Sequence, residues 1–140
     1  MYYLDTSLLV SALTTEAKTA RVQSWLGEQS ASELAISEWV ITEFSAALSI
    51  KLRTGQLDPG TRADALTLFA RFCAETVEIL PISALHFRIA ARFADRHAFG
   101  LRAPDALHLA ICADHGATLY TLDRRLADAG PELGLNSVLL

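Results

Sequence analysis

The 140-residue sequence has few cysteines, no long apolar run and no excess of basic residues. Its two cysteines, Cys73 and Cys112, are far apart and form neither a CxxC motif nor a zinc-ligand spacing. This excludes a disulfide framework and favours buried thiols in a reducing compartment. No apolar stretch approaches the roughly 20 residues of a membrane helix. The acidic start MYYLDTSLLV also lacks the basic segment of a signal peptide. We therefore expect a soluble cytoplasmic protein without a membrane partner.

The charge balance excludes one mode of nucleic-acid binding. The formal net charge is −4 and the pI about 5.5, so bulk positive charge cannot hold a polyanion. An acidic centre neutralised by bound cations is still compatible with a nucleic-acid substrate. The apolar fraction of 51% and the mean hydropathy of +0.28 exclude a disordered chain. The length fits one domain spanning residues 1–140.

Short apolar stretches alternate with helical patterns along the chain. The stretches MYYL, ELAIS, VEIL, TLYTL and NSVLL predict strands. The clearest helices between them are predicted from Glu38 to Arg53, from Pro59 to Glu75, from Ser83 to about Ala98, and from Pro104 to His115. This alternation is typical of a parallel sheet covered on both faces. We therefore predict an α/β fold of three layers, with a central, mostly parallel sheet of four to five short strands.

Four acidic residues fall where such a fold gathers its functional groups. Asp5 directly follows the first predicted strand, and Asp123 directly follows the strand TLYTL. Asp105 comes directly after Pro104, at the start of the helix that leads into that same strand. Glu43 lies in the second turn of the helix after ELAIS. Because ligands bind outside the carboxyl ends of parallel strands, we expect these four carboxylates to lie near one another.

Each acid taken singly also has a structural explanation. Asp5 and Asp123 can cap helices, Asp105 suits the positive end of a helix, and Glu43 can be a solvent-exposed residue. Together, converging carboxylates repel one another unless a counter-ion is present. Mg²⁺ and Mn²⁺ are hard cations that prefer oxygen ligands, and they can activate water against a phosphodiester. We therefore predict metal-assisted phosphodiester hydrolysis, with Asp105 as a metal ligand or a water-orienting group.

Four motifs resemble those of one known family. YLDTSLLV at the start, TEF at residues 42–44, APDALHLA around Asp105 and LYTLDRRLA around Asp123 resemble the PIN-domain ribonucleases. The resemblance is greatest to the VapC-type toxins of bacterial toxin–antitoxin pairs, and the motifs span nearly the whole chain in the family's order. It implies a three-layer α/β/α PIN-like fold and a Mg²⁺- or Mn²⁺-dependent endoribonuclease that cuts RNA. It also implies a homodimer and a cognate VapB-type antitoxin whose C-terminal segment blocks the acidic site.

The resemblance also implies roles for the four acids. Asp5 and Asp105 would bind the metal directly. Glu43 would complete the coordination or orient the attacking water, and Asp123 would act through a water or a second metal. No member of this catalytic and metal-binding quartet is missing from the sequence. We therefore expect an active enzyme.

Several residues beside the acids are auxiliary candidates. Ser7 and Thr121 match the small hydroxyl positions of the family and could hold water or a phosphate oxygen. Arg102, Arg124 and Arg125 lie in the two segments that flank the acids, and one of them could contact RNA or the antitoxin. His108 lies three residues after Asp105 and therefore on the same helix face. Because no second acid–histidine pair accompanies it, we expect His108 to pack or to support a neighbouring side chain rather than to bind metal.

Two further groups of side chains leave alternatives open. Arginines at positions 88, 92 and 96 form a stripe on one helix, which is either a solvated face or a surface for phosphates or an antitoxin carboxylate. Trp25, Trp39 and Phe44 are expected in the core or at a subunit contact.

Two other functions are compatible with the sequence. One is a PIN-domain nuclease of housekeeping RNA processing that has no antitoxin, and the absence of a small abutting upstream gene would favour it. The other is a non-catalytic binding module in which the acids only cap helices. That module predicts no gain in heat stability with Mn²⁺, because only a ligand that binds the native state raises its stability.

Overall fold

The computed structural model describes all residues from Met1 to Leu140. The strands are β1 (Tyr2–Leu4), β2 (Leu34–Ser37), β3 (Glu78–Leu80), β4 (Thr118–Thr121) and β5 (Ser137–Leu139). The helices are α1 (Thr6–Leu13), α2 (Thr19–Glu28), α3 (Glu38–Arg53), α4 (Pro59–Glu75), α5 (Ala84–Ala94), α6 (Ala103–His115) and α7 (Arg124–Glu132). None of these helices is long and apolar enough to cross a membrane.

The five strands form one sheet in the order β3-β2-β1-β4-β5, and every neighbouring pair is parallel. The predicted three-layer α/β/α architecture is therefore confirmed. The chain steps from β1 to β2 and β3 in one direction, then returns to place β4 and β5 on the other side of β1. Loops that follow β1 and β4 consequently run apart and leave a crevice at the carboxyl end of the sheet.

Local sequence explains most element boundaries. Asp58 caps α4, with its Oδ1 accepting from the Thr61 amide, and Pro59 is the first helical residue. One predicted boundary is wrong, because α5 ends at Ala94 instead of continuing to about Ala98. The chain turns there through a short 3₁₀ segment, His97–Phe99, into Gly100 at φ +60°. The α-helical run ends before Arg96, whose backbone leaves the helical region at φ −78° and ψ 75°, and the apolar stripe of α5 offered no sign of this earlier stop.

The core lies on both sides of β1. Tyr3 and Leu4 are fully buried, and α6 is enclosed along one continuous stretch from Ala106 to Cys112. This agrees with the apolar residues found all round that helix. Phe44 is fully buried, while Trp25 packs against the rings of Tyr2 and Tyr120, which also contact each other.

Gly130 marks the closest approach between α7 and β5. A Cβ added there would lie 2.8 Å from Ser137 Cβ and closer still to Ser137 Oγ. Gly130→Ala should therefore lower the free energy of unfolding by about 1–3 kcal/mol, because backbone has to shift. Gly27→Ala on the exposed face of α2 is the matched control, since nothing lies within 4 Å of its added Cβ. Urea unfolding of both variants checks this, and equal stabilities would contradict the close approach.

Candidate active site

Asp5 directly follows β1 and is buried, with 5% of its surface exposed. Its Oδ1 accepts hydrogen bonds from Ser7 Oγ at 2.6 Å and from the Leu8 amide at 3.2 Å. Its Oδ2 accepts from Thr121 Oγ1 at 2.7 Å. Burial raises the pKa of the Asp5 carboxyl, although nearby His108 and the three donors act in the opposite direction. The result is a fixed carboxylate whose ionised form is short of compensating positive charge.

Asp123 follows β4 and caps α7. Its Oδ1 accepts from the amides of Arg125 at 2.8 Å and Leu126 at 3.2 Å. Its own amide donates to Thr121 Oγ1, the hydroxyl that also donates to Asp5. Helix capping therefore accounts for one oxygen of Asp123 and leaves Oδ2 without a hydrogen bond.

Glu43 reaches the same crevice from α3. Its Oε2 accepts from Thr6 Oγ1 at 2.5 Å and from His108 Nε2 at 2.8 Å, whereas Oε1 has no hydrogen-bond partner. Burial works against ionisation of Glu43, but the hydrogen bond and charge of His108, the hydroxyl of Thr6 and the nearby indole of Trp39 outweigh it and lower the pKa. Glu43 is therefore held as a carboxylate in a fixed orientation.

Asp105 lies in the first turn of α6. Its Oδ2 accepts from the Arg102 amide at 3.0 Å, so it caps the helix as its position after Pro104 suggested. Its Oδ1 makes no hydrogen bond. Nη2 of Arg125 lies 4.0 Å from Asp105 Oδ2 and 3.9 Å from Asp123 Oδ2. One loosely held guanidinium thus stands between two of the four acids.

These contacts link the four acids into a ring. Thr121 joins Asp5 to Asp123, and Arg125 joins Asp123 to Asp105. His108 lies one turn after Asp105 on α6 and hydrogen-bonds Glu43. Glu43 also accepts a hydrogen bond from Thr6, the residue that follows Asp5, and this contact closes the ring. The ring lies at the crevice between β1 and β4, where the order of strands reverses. The structure therefore brings together the four acids that the sequence singled out.

Of the auxiliary candidates, the two hydroxyl residues and Arg125 contact an acid through their side chains, whereas Arg102 and Arg124 do not. Ser7 and Thr121 both hydrogen-bond Asp5. The side chains of Arg102 and Arg124 are exposed, and Arg102 contacts the site through its backbone amide alone. Arg125, the neighbour of Arg124, is the arginine that faces the acids. Arg124 and Arg125 are adjacent in sequence, but they project from different faces of α7, and only the face of Arg125 is turned towards the acids.

Sequence reasoning also missed two hydrogen-bonding residues. Thr6 has no role at the site in the sequence prediction, yet its hydroxyl donates to Glu43. Tyr3 was treated as a strand residue, yet its hydroxyl contacts both His108 Nδ1 at 2.9 Å and Ser37 Oγ at 2.7 Å. Position within the motif LDTS was the available signal for Thr6. Nothing local indicates the partners of Tyr3.

A second cluster of potential metal ligands lies at the other end of α6. Atoms of His86, Asp114 and His115 fall within 4.8 Å of one another. The Ser83 amide donates to His86 Nδ1, so the ring proton of neutral His86 is on Nε2, where it is donated to Asp114. That nitrogen has no lone pair for a metal while the Ser83 bond is intact. We therefore interpret this cluster as a structural hydrogen-bonded group.

The acidic ring fits a divalent cation by the chemistry of its donors. Glu43, Asp105 and Asp123 each retain one oxygen without a hydrogen bond. No three of the four acids bring their oxygens within 4.8 Å of one another. Mg²⁺ keeps several waters and takes only one or two carboxylates directly, so this wider spacing suits it. The donor set of the four acids is therefore compatible with an ion bound partly through water.

A doubly wound parallel sheet with carboxylates at its switch point defines a class of α/β proteins with an acidic ligand site. The family model of the PIN domain matches residues 2–131 of this sequence. The chain therefore belongs to the PIN-domain family. This confirms the resemblance drawn from the four motifs, and the family supports a nuclease.

Solved structures with the same fold include toxins and toxin–antitoxin complexes. The Mycobacterium tuberculosis toxin VapC20, described as cleaving the sarcin–ricin loop, superposes with a TM-score of 0.75 at 17% identity, covering 93% of this chain and 95% of that one. FitAcB from Neisseria gonorrhoeae gives 0.71 at 21% identity, with 98% and 96% covered. VapBC2 from Rickettsia felis, bound to a promoter DNA fragment, gives 0.68 at 19% identity, with 99% and 98% covered. A comparison with curated protein sequences finds no significant match.

Proposed function

We propose that this chain is a Mg²⁺- or Mn²⁺-dependent endoribonuclease and the toxin of a toxin–antitoxin pair. The observation that carries the proposal is the ring of four carboxylates at the switch point, three of which keep an oxygen free. The description of VapC20 as a toxin that cleaves the sarcin–ricin loop supports RNA as the substrate class.

The hydrogen bonds around each acidic side chain indicate its role in the site. Asp5 is fixed by three donors and Glu43 by two, so both carboxylates keep one orientation as a substrate arrives. Asp105 and Asp123 each keep one oxygen without a hydrogen bond. A bound Mg²⁺ or Mn²⁺ would lower the pKa of a water and stabilise charge on the phosphodiester. Arg125, 40% exposed beside two acids, is the side chain best placed to receive a phosphate oxygen.

Metal dependence is the first test. Purified protein should cut a mixed, structured RNA pool in Mg²⁺ or Mn²⁺. Excess EDTA should abolish the cuts, because it removes the cation that would activate the water and stabilise charge on the phosphodiester. Restoring Mn²⁺ in excess should restore the same cut sites. Gel mapping of the fragment ends checks this. Cleavage that persists in EDTA would contradict the proposed chemistry, and so would an inhibitor-free preparation that neither cuts RNA nor gains heat stability with Mn²⁺.

An antitoxin partner is part of the same proposal. FitAB bound to a DNA fragment, a Klebsiella pneumoniae toxin–antitoxin complex and VapBC2 all share this fold. We expect a small gene abutting this one, whose product co-purifies with the chain and suppresses cleavage. Harmless expression without such a gene would favour housekeeping RNA processing instead.

The proposed assembly is a homodimer. Trp39, Phe87, Pro104 and Leu107 line an apolar groove of about 320 Å³ between α3, α5 and α6. Phe87 is 56% exposed at this groove, and Leu85 beside it on α5 is 44% exposed. Exposed apolar side chains clustered in this way are typical of subunit contacts. Sedimentation of the purified chain tests whether a second copy covers the groove.

A further inference from the structure

The acidic site is supported by a buried chain of hydrogen bonds that the carboxylates themselves do not require. Ser37 Oγ contacts Tyr3 Oη at 2.7 Å, and Tyr3 Oη contacts His108 Nδ1 at 2.9 Å. His108 Nε2 then donates to Glu43 Oε2 at 2.8 Å. Ser37 and Tyr3 are fully buried and His108 is 3% exposed. This chain joins β2, β1 and α6 to one oxygen of Glu43 on α3.

Each hydrogen bond of this chain can be donated in the direction of Glu43. A carboxylate only accepts, so His108 Nε2 carries a proton and donates it. In neutral His108 the other nitrogen, Nδ1, accepts from the Tyr3 hydroxyl, whose oxygen in turn accepts from Ser37. Aligned donors in a buried chain strengthen one another. If His108 is charged, Nε2 still donates to Glu43, so the arrangement does not depend on the protonation state of the ring.

The hydrogen bonds make the two carboxylate oxygens of Glu43 different from each other. Thr6 Oγ1 and His108 Nε2 both bind Oε2, which leaves Oε1 as the oxygen without a hydrogen bond. A glutamate has three rotatable bonds and would otherwise sample several orientations at that edge. The Tyr3 hydroxyl fixes the plane of the imidazole ring, and the ring fixes the carboxylate. Groups that orient a metal-binding carboxylate in this manner commonly change metal affinity or activity about 10- to 100-fold when removed.

We propose that His108, held by Tyr3 and Ser37, is a positioning residue that presents Glu43 Oε1 to the divalent cation or its attacking water. This inference rests on the proposed metal-dependent nuclease function. It assigns His108 no contact with the metal or the RNA. It also explains why a histidine lies within the otherwise apolar buried stretch of α6.

Two polar substitutions of His108 separate positioning from simple packing. In His108→Gln the side-chain amide reaches roughly the place of Nε2 and can still donate to Glu43. In His108→Asn the shorter amide reaches roughly the place of Nδ1, so it can contact Tyr3 but not Glu43. His86→Gln is the matched control, since His86 is equally buried, at 2% exposed, and lies on α5, where it contacts Asp114 near the C-terminal end of α6.

Mn²⁺ affinity is the decisive readout, measured by electron paramagnetic resonance of free Mn²⁺ on folded protein. His108→Asn should weaken Mn²⁺ binding about 10- to 100-fold, whereas His108→Gln and His86→Gln should stay within about threefold of the wild type. With saturating Mn²⁺, kcat for RNA cleavage should fall in His108→Asn while KM for RNA stays unchanged. A role in packing alone would lower the melting temperature of His108→Asn without changing the Mn²⁺ affinity of the folded protein.

Tyr3→Phe keeps the inference testable if His108→Asn does not fold. It removes one buried hydroxyl and keeps the ring, and it should weaken Mn²⁺ binding in the same direction by a smaller factor. Wild-type Mn²⁺ affinity in folded His108→Asn would overturn the positioning role, as would wild-type affinity in Tyr3→Phe where His108→Asn does not fold, or a His108→Gln variant as impaired as His108→Asn. A wild-type protein that neither binds Mn²⁺ nor cuts RNA would instead overturn the proposed function itself.

Discussion

Asp5→Asn should abolish RNA cleavage and at the same time raise the melting temperature of the metal-free protein. Asp5 is the most deeply buried of the four acids, and burial raises the pKa of its carboxyl. An amide has nearly the same shape, keeps Oδ1 for Ser7 and Leu8, and removes a charge that is costly to bury. The Thr121 hydroxyl can rotate to accept from the new amide. We expect a rise of a few degrees, since about 1 kcal/mol shifts Tm by about 4 °C in a domain of this size.

The pH dependence of this gain identifies its cause. A carboxyl whose pKa is raised in the fold destabilises the native state only when it is ionised. Stability is therefore lost as pH rises from the ordinary aspartate range, about 4, through the raised pKa. The difference in Tm between Asp5→Asn and the wild type should vanish in acid and grow towards neutral pH. Thermal unfolding in EDTA across that pH range measures it.

Asp105→Asn is the comparison that separates catalysis from burial. Its amide oxygen can still accept from the Arg102 backbone, so α6 keeps its cap. It should lose metal-dependent cleavage by at least about 100-fold, as Asp5→Asn does. The gain in metal-free stability should be smaller, because the Asp105 side chain is 15% exposed and its charge is better solvated. Cleavage by folded Asp105→Asn at the wild-type rate would contradict the assigned site. A fall in metal-free Tm for Asp5→Asn would contradict the burial argument.

Phe44→Ala should be the most destabilising single truncation in the core. Phe44 is fully buried, and its ring stacks on Phe69 of α4 with centroids 4.0 Å apart and planes 22° apart. Removing a buried phenylalanine ring leaves a cavity and costs about 3–5 kcal/mol. The melting temperature should fall by roughly 10 °C or more. Glu43 is the adjacent residue of α3, so weaker Mn²⁺ binding is expected with the loss of stability.

Denaturant unfolding of Phe44→Ala measures the loss, with an unchanged m value showing that the unfolded surface is the same. Leu68→Ala is the control on α4, where the side chain is 53% exposed, and it should stay within about 0.5 kcal/mol of the wild type. A cost below 1 kcal/mol for Phe44→Ala would mean that the α3–α4 contact closes around the missing ring.

The fold could be predicted largely from local patterns. Glu38 to Arg53 was predicted with the bounds that α3 has, because its apolar period is regular and charged or small residues border it. The end of α5 was wrong because it depends on backbone conformations at Arg96 and Gly100 and not on any change of hydrophobic period. The four acids could be proposed as neighbours because parallel strands bring their carboxyl ends to one edge, a rule that needs no coordinates.

The sequence by itself determined the alternation of strands and helices, the capping of α4 and α6, and which four carboxylates belong to one edge of the sheet. Each of these follows from interactions over a few residues or from a general property of parallel sheets. Only the tertiary structure decided that Tyr3 meets His108, that Thr6 and His108 share one oxygen of Glu43, and that Arg125 faces the acids while Arg124 faces solvent. These contacts join residues on different elements, so they depend on how the helices pack and in which phase each one presents its side chains.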